Sequence, residues 1–596
     1  MSGLRIAALV KQVPAFVEMT LGPDGRLVRE GLDLELGAYC RRAVSKAVEL
    51  AEASLDSSVC VITLGPPTAD DALREAIKWG LDRGVATRGV LATDAAFAGS
   101  DTIATARALA AVLEREGPFD LVLAGRNSLD SDTGQVPPQV AELLDLPFAT
   151  GVKSLVLDEG LLRLGCEHDD AWVELEVELP ALLSCAERLC EPAKVPPEGR
   201  ALVPATAITL LKADDLGAGP WGEPASPTRV GATQELAVNR RQLRSPELSV
   251  AEQVSTAVRL LVESGALAAG ERKAPRELAP TGGQGPLVAV LAEPGRDHLT
   301  QELMGAGATL AATLGGSTVL LATVELTAEE AGSWGADELV QVRGAEAEED
   351  IARAVTAWAL DAEPWSIIAG STAYGREVAA RSAAALGAGL TGDAVDLEVT
   401  DGRLVAWKPA FGGQLVVAIT ATTPIQMVTV RDGVLDRPLP RVSTASKSEI
   451  VVTPRQRVRI TARHAEDSLE ILEGAEAVVG VGQGVSPDDY SELDELVSLL
   501  GAELGCTRKV TDKSWMPHVR QIGITGRSIS PRLYVAIGTS GKFNHMAGVR
   551  SAGTVLAINP DPEAPVWETA DVGIVGTWQE VLPLLVEELR DALVPS

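Results

Sequence analysis

The residues of this chain best suited to chemistry lie between Thr507 and Asp571. Arg508 follows Thr507 and stands four positions before Asp512 in GCTRKVTD, and Gln521, Ile524, Thr525 and Gly526 make up QIGITG. Gly538, Thr539, Ser540 and Gly541 end one apolar run and lead to Asn544 and His545 in GTSGKFNH; Asn559 and Asp561 end a second in AINPD, and Asp571 opens ADVGIVG. Upstream, Gly480, Gly482 and Gly484 in VVGVGQGV place three glycines between an apolar run and a helical stretch, where a phosphate can approach the backbone at the helix's positive end. This is binding chemistry. Neither a catalytic triad, nor a metal-ligand cluster, nor an acid–base pair stands out in the sequence. Each residue also has a structural reading: Arg508 as an ion-pair partner of Asp512, His545 as a solvated or capping histidine, Asn559 with Asp561 as an Asx turn.

These positions need a scaffold, and the chain supplies one repeatedly. Runs such as LRIAALV, VCVITLG, FDLVLAG, PLVAVLAE, TVLLATV and WSIIAG alternate with alanine-rich helical stretches. Continuous rather than alternating apolarity marks strands buried on both faces, so the fold class is α/β with parallel sheets. In such sheets ligands bind beyond the carboxyl ends of the strands, and the motifs above are expected at those ends or in the loops beyond them. From Glu191 to Gly285 proline and glycine crowd together around one amphipathic helix, SVAEQVSTAVRLLVES, which reads as an arm and linker. The two sides of that linker resemble each other: FDLVLAGRNSLDSDTGQVPP and WSIIAGSTAYGREVAA each run strand, glycine, polar turn, helix. The expected organisation is therefore two paralogous α/β units, 1–190 and 286–441, joined by 191–285 and followed by a third α/β domain, 442–596.

Composition narrows the function. Fifty-two lysines and arginines against 83 acids give a net charge of −31, which disfavours a broad nucleic-acid or anionic-membrane partner. Six cysteines without a CxxC argue against zinc, iron–sulfur and disulfide frameworks and fit a reducing cytoplasm. The longest apolar runs fall short of the about 18 residues a membrane span needs, and the opening MSGLRIAALVK reads as a strand rather than a signal segment.

Taken in order, R-x-x-x-D, Q-x-G-x-T-G, G-x-S-G-x-x-x-H, A-I-N-x-D and A-D-x-G resemble the FAD domain of the electron transfer flavoprotein α subunit. The first half, from LRIAALVKQV through LREAIKWGLDRGV and FDLVLAGRNSLDSDTGQ to the arm SPTRV, resembles the β subunit of that family. The chain is thus similar to a β–α fusion whose last domain is a Rossmann-like, DHS-like FAD-binding unit. The resemblance implies that Arg508, with Thr507 before it, lies against the isoalloxazine and favours its negative charge. It implies that Thr525, in the loop with Gln521, Ile524 and Gly526, reaches the central ring nitrogen, and that His545, beside Asn544, donates from an N–H or imidazolium near the pyrimidine oxygen. Gly538, Thr539, Ser540 and Gly541 then give backbone access to the pyrophosphate, Asn559, Asp561 and Asp571 hold the ribityl–adenosine end, and Phe16 takes the place of a tyrosine at the benzenoid edge.

In the first half, Ala8, Leu9, Gly125 and the loop Asp130, Ser131, Asp132, Thr133, Gly134 and Gln135 correspond to an adenine-nucleotide site, holding AMP in many members and a second FAD in electron-bifurcating ones. The same loop also reads as the cap of the helix that follows. The chain departs from the family pattern at GAYCRR (Gly37 to Arg42), where an Asn-Pro-x-Asp run is usual, at Gln483, and in an arm after Leu189 without its basic stretch. The implied function is an electron carrier of the respiratory chain, taking electrons from partner flavin-dependent dehydrogenases and passing them to a quinone oxidoreductase or another acceptor, with the FAD domain swivelling on its base. The alternatives are an NADH-oxidising bifurcating enzyme and a nucleotide-binding regulatory module.

Overall fold

The computed structural model describes residues 3–15, 33–128, 130–158, 160–169, 171–235, 240–267, 277–410, 415–465, 472, 474–523, 526–527, 529–549 and 552–593. Its contacts divide the chain into two compact units, one of residues 1–234, 275–411 and 415–465, the other of residues 235–274, 412–414 and 466–596. No helix among the described residues is long and apolar enough to cross a membrane.

The first unit holds two sheets built to one plan. In one, the strands Arg5–Leu9, Ser58–Leu64, Ala86–Ala92, Leu121–Gly125, Phe148–Asp158 and Ala181–Cys185 lie side by side in the order third, second, first, fourth, sixth, fifth. In the other, Leu287–Leu291, Ser317–Ala322, Glu338–Arg343, Ser366–Gly370, Gly389–Ala394 and Gln426–Val430 repeat that order. Pairing between these strands is parallel, with Ile6 opposite both Val59 and Leu121, and Val288 opposite both Thr318 and Ser366. The continuous apolar runs are buried on both faces: Ile6, Ala7 and Ala8, and equally Val288, Ala289 and Val290, are fully enclosed. Doubly wound α/β units, as read from the runs, are what the residues build.

The two halves also exchange edges. Val458–Ala465, which follows the second half, pairs antiparallel with Ala171–Glu178 of the first, Val458 opposite Val177. Thr228–Glu235, which follows the first half, lies beside Leu415–Ala421 of the second, in a four-stranded sheet with Arg403–Ala410 and Asp396–Thr400. Each half thereby covers an open strand edge of the other.

The second unit is a five-stranded parallel sheet in the order Glu503–Cys506, Ala477–Val481, Leu533–Ile537, Thr554–Asn559, Val572–Val575. Numbered along the chain this is 2-1-3-4-5, the flavodoxin-type order, whose switch point lies between the first and third strands. The helix Val250–Glu263, opened by a capping box of Ser249 and Glu252, buries Val254, Ala257, Val258 and Leu261 in the same core as Leu585, Val586 and Leu589 of the helix Trp578–Leu593. Just before it, Leu243 bridges Val572, donating to the Asp571 carbonyl at 3.0 Å and accepting from Gly573 N–H at 2.9 Å, so residues 240–267 belong with this sheet.

Candidate functional site

At the switch point of the second unit the carboxyl ends of Ala477–Val481 and Leu533–Ile537 meet through backbone alone. Gly482 N–H donates to the Ile537 carbonyl at 2.9 Å, and Gly484 N–H to the Gly538 carbonyl at 3.1 Å. A methyl group on Gly482 would stand 2.1 Å from the Gly538 oxygen, and one on Gly484 2.9 Å from its Cα. Gly538 and Gly541 hold φ of +61° and +72°, which glycine adopts without strain. The next residue, Thr539, is 2 % exposed, and its hydroxyl is buried without a hydrogen-bond partner. An enclosed, unsatisfied hydroxyl over a side-chain-free turn fits the polar, phosphate-rich middle of a dinucleotide. Ser540 beside it is exposed.

The neighbouring strand ends gather at the same edge. Asn559 Nδ2 donates to the Thr539 carbonyl at 2.8 Å, while its Oδ1 accepts from Asp561 N–H at 2.9 Å and Asp561 Oδ1 from Glu563 N–H at 3.0 Å. The pair therefore does form the Asx-type turn, and that turn buttresses Thr539. Thr507 N–H donates to the Val481 carbonyl at 3.0 Å, which brings Arg508, first residue of the helix Arg508–Asp512, beside the glycine turn. Arg508 is half exposed, with Nε 3.4 Å from Asp512, an exposed pairing of the kind that contributes little.

Gln521 is buried, accepting the Thr511 hydroxyl on Oε1 at 2.6 Å, and Ile522 N–H donates to the Cys506 carbonyl at 2.9 Å. The loop closes through Arg527 N–H on the Gln521 carbonyl at 2.8 Å and Gly526 N–H on Gly523 at 2.9 Å. Ile524, Thr525, the Asn544 side chain and Phe16 lie outside the described residues.

Two expected residues are placed differently. His545 is 7 % exposed, with Nε2 2.6 Å from the Tyr534 hydroxyl and Nδ1 3.0 Å from the Ile522 carbonyl. Burial pushes its imidazole down to about 4, despite the Ile522 carbonyl that favours protonation. Both ring nitrogens have partners inside the unit, and its burial favours the neutral form. Asp571 precedes its strand, Val572–Val575, instead of following one, and so stands at the opposite edge of the sheet from the glycine turn. There its carboxylate accepts from Arg240 Nη1 at 2.7 Å, Val555 N–H at 2.8 Å and Arg241 N–H at 3.3 Å. It clamps the chain before the helix Val250–Glu263 onto the sheet. Sequence reasoning missed both partners: Tyr534, a lone phenol inside the aliphatic strand LYVAI, was the available signal for one, and nothing marked Arg240.

In the first unit, Ala8 and Leu9 are interior strand residues, and Gly125 ends the adjacent strand against Tyr39, whose Cβ a methyl there would meet at 2.9 Å. The loop beyond it takes most of its partners from neighbouring segments, while Gln135 Nε2 is buried without a hydrogen-bond partner. Lys11 Nζ contacts both Asp130 oxygens, at 2.7 and 2.9 Å, and against burial, which raises the carboxyl, that ammonium holds Asp130 below its ordinary range. Asn127 Nδ2 donates to Asp132 at 2.6 Å, Lys408 Nζ to the Ser131 carbonyl at 2.6 Å, and the Thr102 hydroxyl to Gln135 at 2.9 Å. Asp132 and Gly134 take φ of +46° and +63°, and Thr133 lies between them, half-buried. The two lysines were not anticipated.

Comparison with known proteins agrees with this architecture. Residues 24–211 and 288–456 both match the electron transfer flavoprotein domain, and residues 471–550 match the electron transfer flavoprotein FAD-binding domain. The chain is 36 % identical over 251 residues to the electron transfer flavoprotein subunit alpha of Thermoanaerobacterium thermosaccharolyticum, covering 41 % of this chain and 76 % of that one. It is 37 % identical over 261 residues to the protein FixB of Bradyrhizobium diazoefficiens, covering 42 % and 70 %, and 34 % identical over 238 residues to the subunit alpha of Bacillus subtilis, covering 39 % and 73 %.

Proposed function

The chain belongs to the electron transfer flavoprotein family, and from that premise we propose that it is a single-chain electron carrier holding one FAD in its second unit. The observation that carries this reading is the switch point: Gly482, Gly484 and Gly538 approach one another through backbone alone beside the unpartnered Thr539 hydroxyl. FAD, when bound, supplies the one- and two-electron redox chemistry. The chain's part is to hold it, with residues 482–484 and 538–541 along the pyrophosphate, Asn559 and Asp561 supporting that turn, and Arg508 with the loop 521–527 at the isoalloxazine. Arg508, free of any strong ion pair, is the residue able to turn toward a developing negative charge. Donors are partner flavin dehydrogenases, and the acceptor is a quinone oxidoreductase or another redox protein. In the first half Asp130, Ser131, Asp132 and the Gln135 oxygen are engaged by Lys11, Lys408, Asn127 and Thr102, which supports the reading of this stretch as the entry to the helix Val136–Leu143 and a single nucleotide per chain.

The test is the visible spectrum of the full-length protein after reconstitution with FAD and desalting, followed by denaturing extraction. A retained flavin band with flavin and adenine in equal amounts is expected. Loss of the band refutes the carrier, an excess of adenine over flavin restores AMP to the first half, and two flavins per chain restore a second FAD and the bifurcating alternative.

A further inference from the structure

The helices Val136–Leu143 and Ala373–Leu386 each follow the fourth strand of their sheet, and in the first unit they pack on each other. Both close alike, Leu146 N–H donating to the Ala141 carbonyl at 2.8 Å and Ala388 N–H to the Ala383 carbonyl at 2.9 Å. That alignment matches Arg381 with Gln139, Glu377 with Gln135, and Glu142 with Ala384. A repeat packed on its own copy carries the same groups on both helices. These two helices do not.

Arg381 of the second half is 1 % exposed. Its guanidinium donates to Glu377 on its own helix at 3.2 Å, then crosses to the first half, to Glu142 at 3.0 Å and the Leu146 carbonyl at 3.3 Å, and lies 5.8 Å from the Phe148 ring centre. Arg457 joins it, donating to the Asp145 carbonyl at 2.7 Å while held by Glu349 at 2.6 Å, and Arg455 pairs with the Asp145 carboxylate. Cations thus gather at the carboxyl end of the helix Val136–Leu143, the sign that its dipole favours. At the other helix the sign reverses: Asp169 of the first half accepts from Ala373 N–H, at the amino end of Ala373–Leu386. Burial opposes its charge, but Arg126, Arg296 and Arg376 hold that carboxyl below its ordinary range. The matching glutamines carry no charge and bond within the first half: the Thr102 hydroxyl donates to Gln135 at 2.9 Å and accepts from Gln139 at 3.4 Å.

We propose that these groups are a pairing code that directs each half to the other kind. Two first halves would leave Glu142 and the carbonyls of Asp145 and Leu146 facing the neutral Gln139. Two second halves would set each Arg381 against Ala384 with no carboxylate across from it, and an enclosed charge without its partner is costly. The surface around Ala373–Leu386 therefore fits a first half, of its own chain or of a second copy, and rejects its own like. The code involves no flavin, so its readouts lie in the first unit alone.

Two full-length variants each reverse one side. Arg381→Glu faces Glu142 and Glu377 with a third carboxylate, and Glu142→Arg faces Arg381 with a second guanidinium, so in each the thermal melt of the first unit should fall by about 5 °C or more. Both changes in one chain restore opposite signs and should return at least half of that loss. Coexpressed, the two single variants match only between chains: the second half of Arg381→Glu with the first half of Glu142→Arg, and the two unchanged faces with each other. With an affinity tag on one of them, capture and light scattering should show two-chain species in excess over wild type coexpressed with tagged wild type. Single variants melting within about 1 °C of wild type, a double variant no better than the singles, or a mixture without that excess would each overturn the code. A chain that binds no FAD refutes the carrier instead, and leaves these readouts standing.

Discussion

Asp571 offers the sharpest separation between a ligand contact and a structural clamp. Its carboxylate is 12 % exposed and faces the Arg240 guanidinium, 6 % exposed, at 2.7 Å. Asp571→Asn keeps an acceptor for Val555 N–H but takes the carboxylate charge away from an enclosed Arg240 that also donates to the Ala552 and Gly553 carbonyls. Breaking a buried pair from one side costs about 3–5 kcal/mol. For a unit of this size each kcal/mol moves the midpoint by roughly 2–4 °C, so the melt should fall on the order of 10 °C. Adding Arg240→Met removes the stranded charge and should return at least half of the loss. The assay is a thermal melt of the second unit, paired with FAD titration well below the midpoint, where the dissociation constant should stay within about twofold of wild type because the clamp is at the far edge of the sheet. If Asp571→Asn loses FAD tenfold or more with an unshifted melt, or if the double variant melts no higher than the single, Asp571 is a nucleotide contact and the clamp is wrong.

Thr539→Val should act with opposite signs on two observables: without FAD the melt rises by a degree or more because an unsatisfied buried hydroxyl is gone, while FAD affinity falls several-fold; an unchanged FAD affinity refutes the hydroxyl as a ligand contact. Glu302 in the first unit is pushed up to about 7 by burial and by Asp432, against the Gly433 N–H that favours its charge. Since the folded state then holds a proton the unfolded chain releases, its contribution is complete below about pH 4.5 and fades as the pH rises to about 7, a slope near 1.4 kcal/mol per pH unit. Glu302→Gln, which keeps an acceptor for Gly433, should flatten that part of the stability profile in pH-dependent melts, and an unchanged slope would show Glu302 ionised in the fold.

The sequence made the scaffold legible because two-sided burial imposes continuous apolar runs, and LRIAALV or PLVAVLAE admits little else. The glycine turn was legible for a similar reason: at 482, 484 and 538 the backbones touch, and that contact excludes side chains. Orientation was not. A-D-x-G looks alike before or after a strand, so Asp571 was assigned to the wrong edge, and only the register of Val572–Val575 decides it. The histidine was legible, but its partners Tyr534 and Ile522 stand 11 and 23 residues away, on which the one-dimensional motif is silent. Residues 240–267 read as linker from their glycine- and proline-rich surroundings, yet the Ser249–Glu252 box and the apolar stripe after it already specified a helix; what it packs on was set by tertiary structure.

The reciprocal edge strands of the first unit bear on what a continuous chain achieves. Made apart, either half would end in a sheet whose last strand offers open amides and carbonyls, a template for the wrong neighbour as well as the right one. Each half carries the strand that closes the other, so neither is finished until both are present in equal number. A single polypeptide guarantees that ratio and keeps the second half at an effective concentration of roughly millimolar from the moment it is synthesised. Continuity here serves assembly: it turns an encounter between two incomplete sheets into an intramolecular closure.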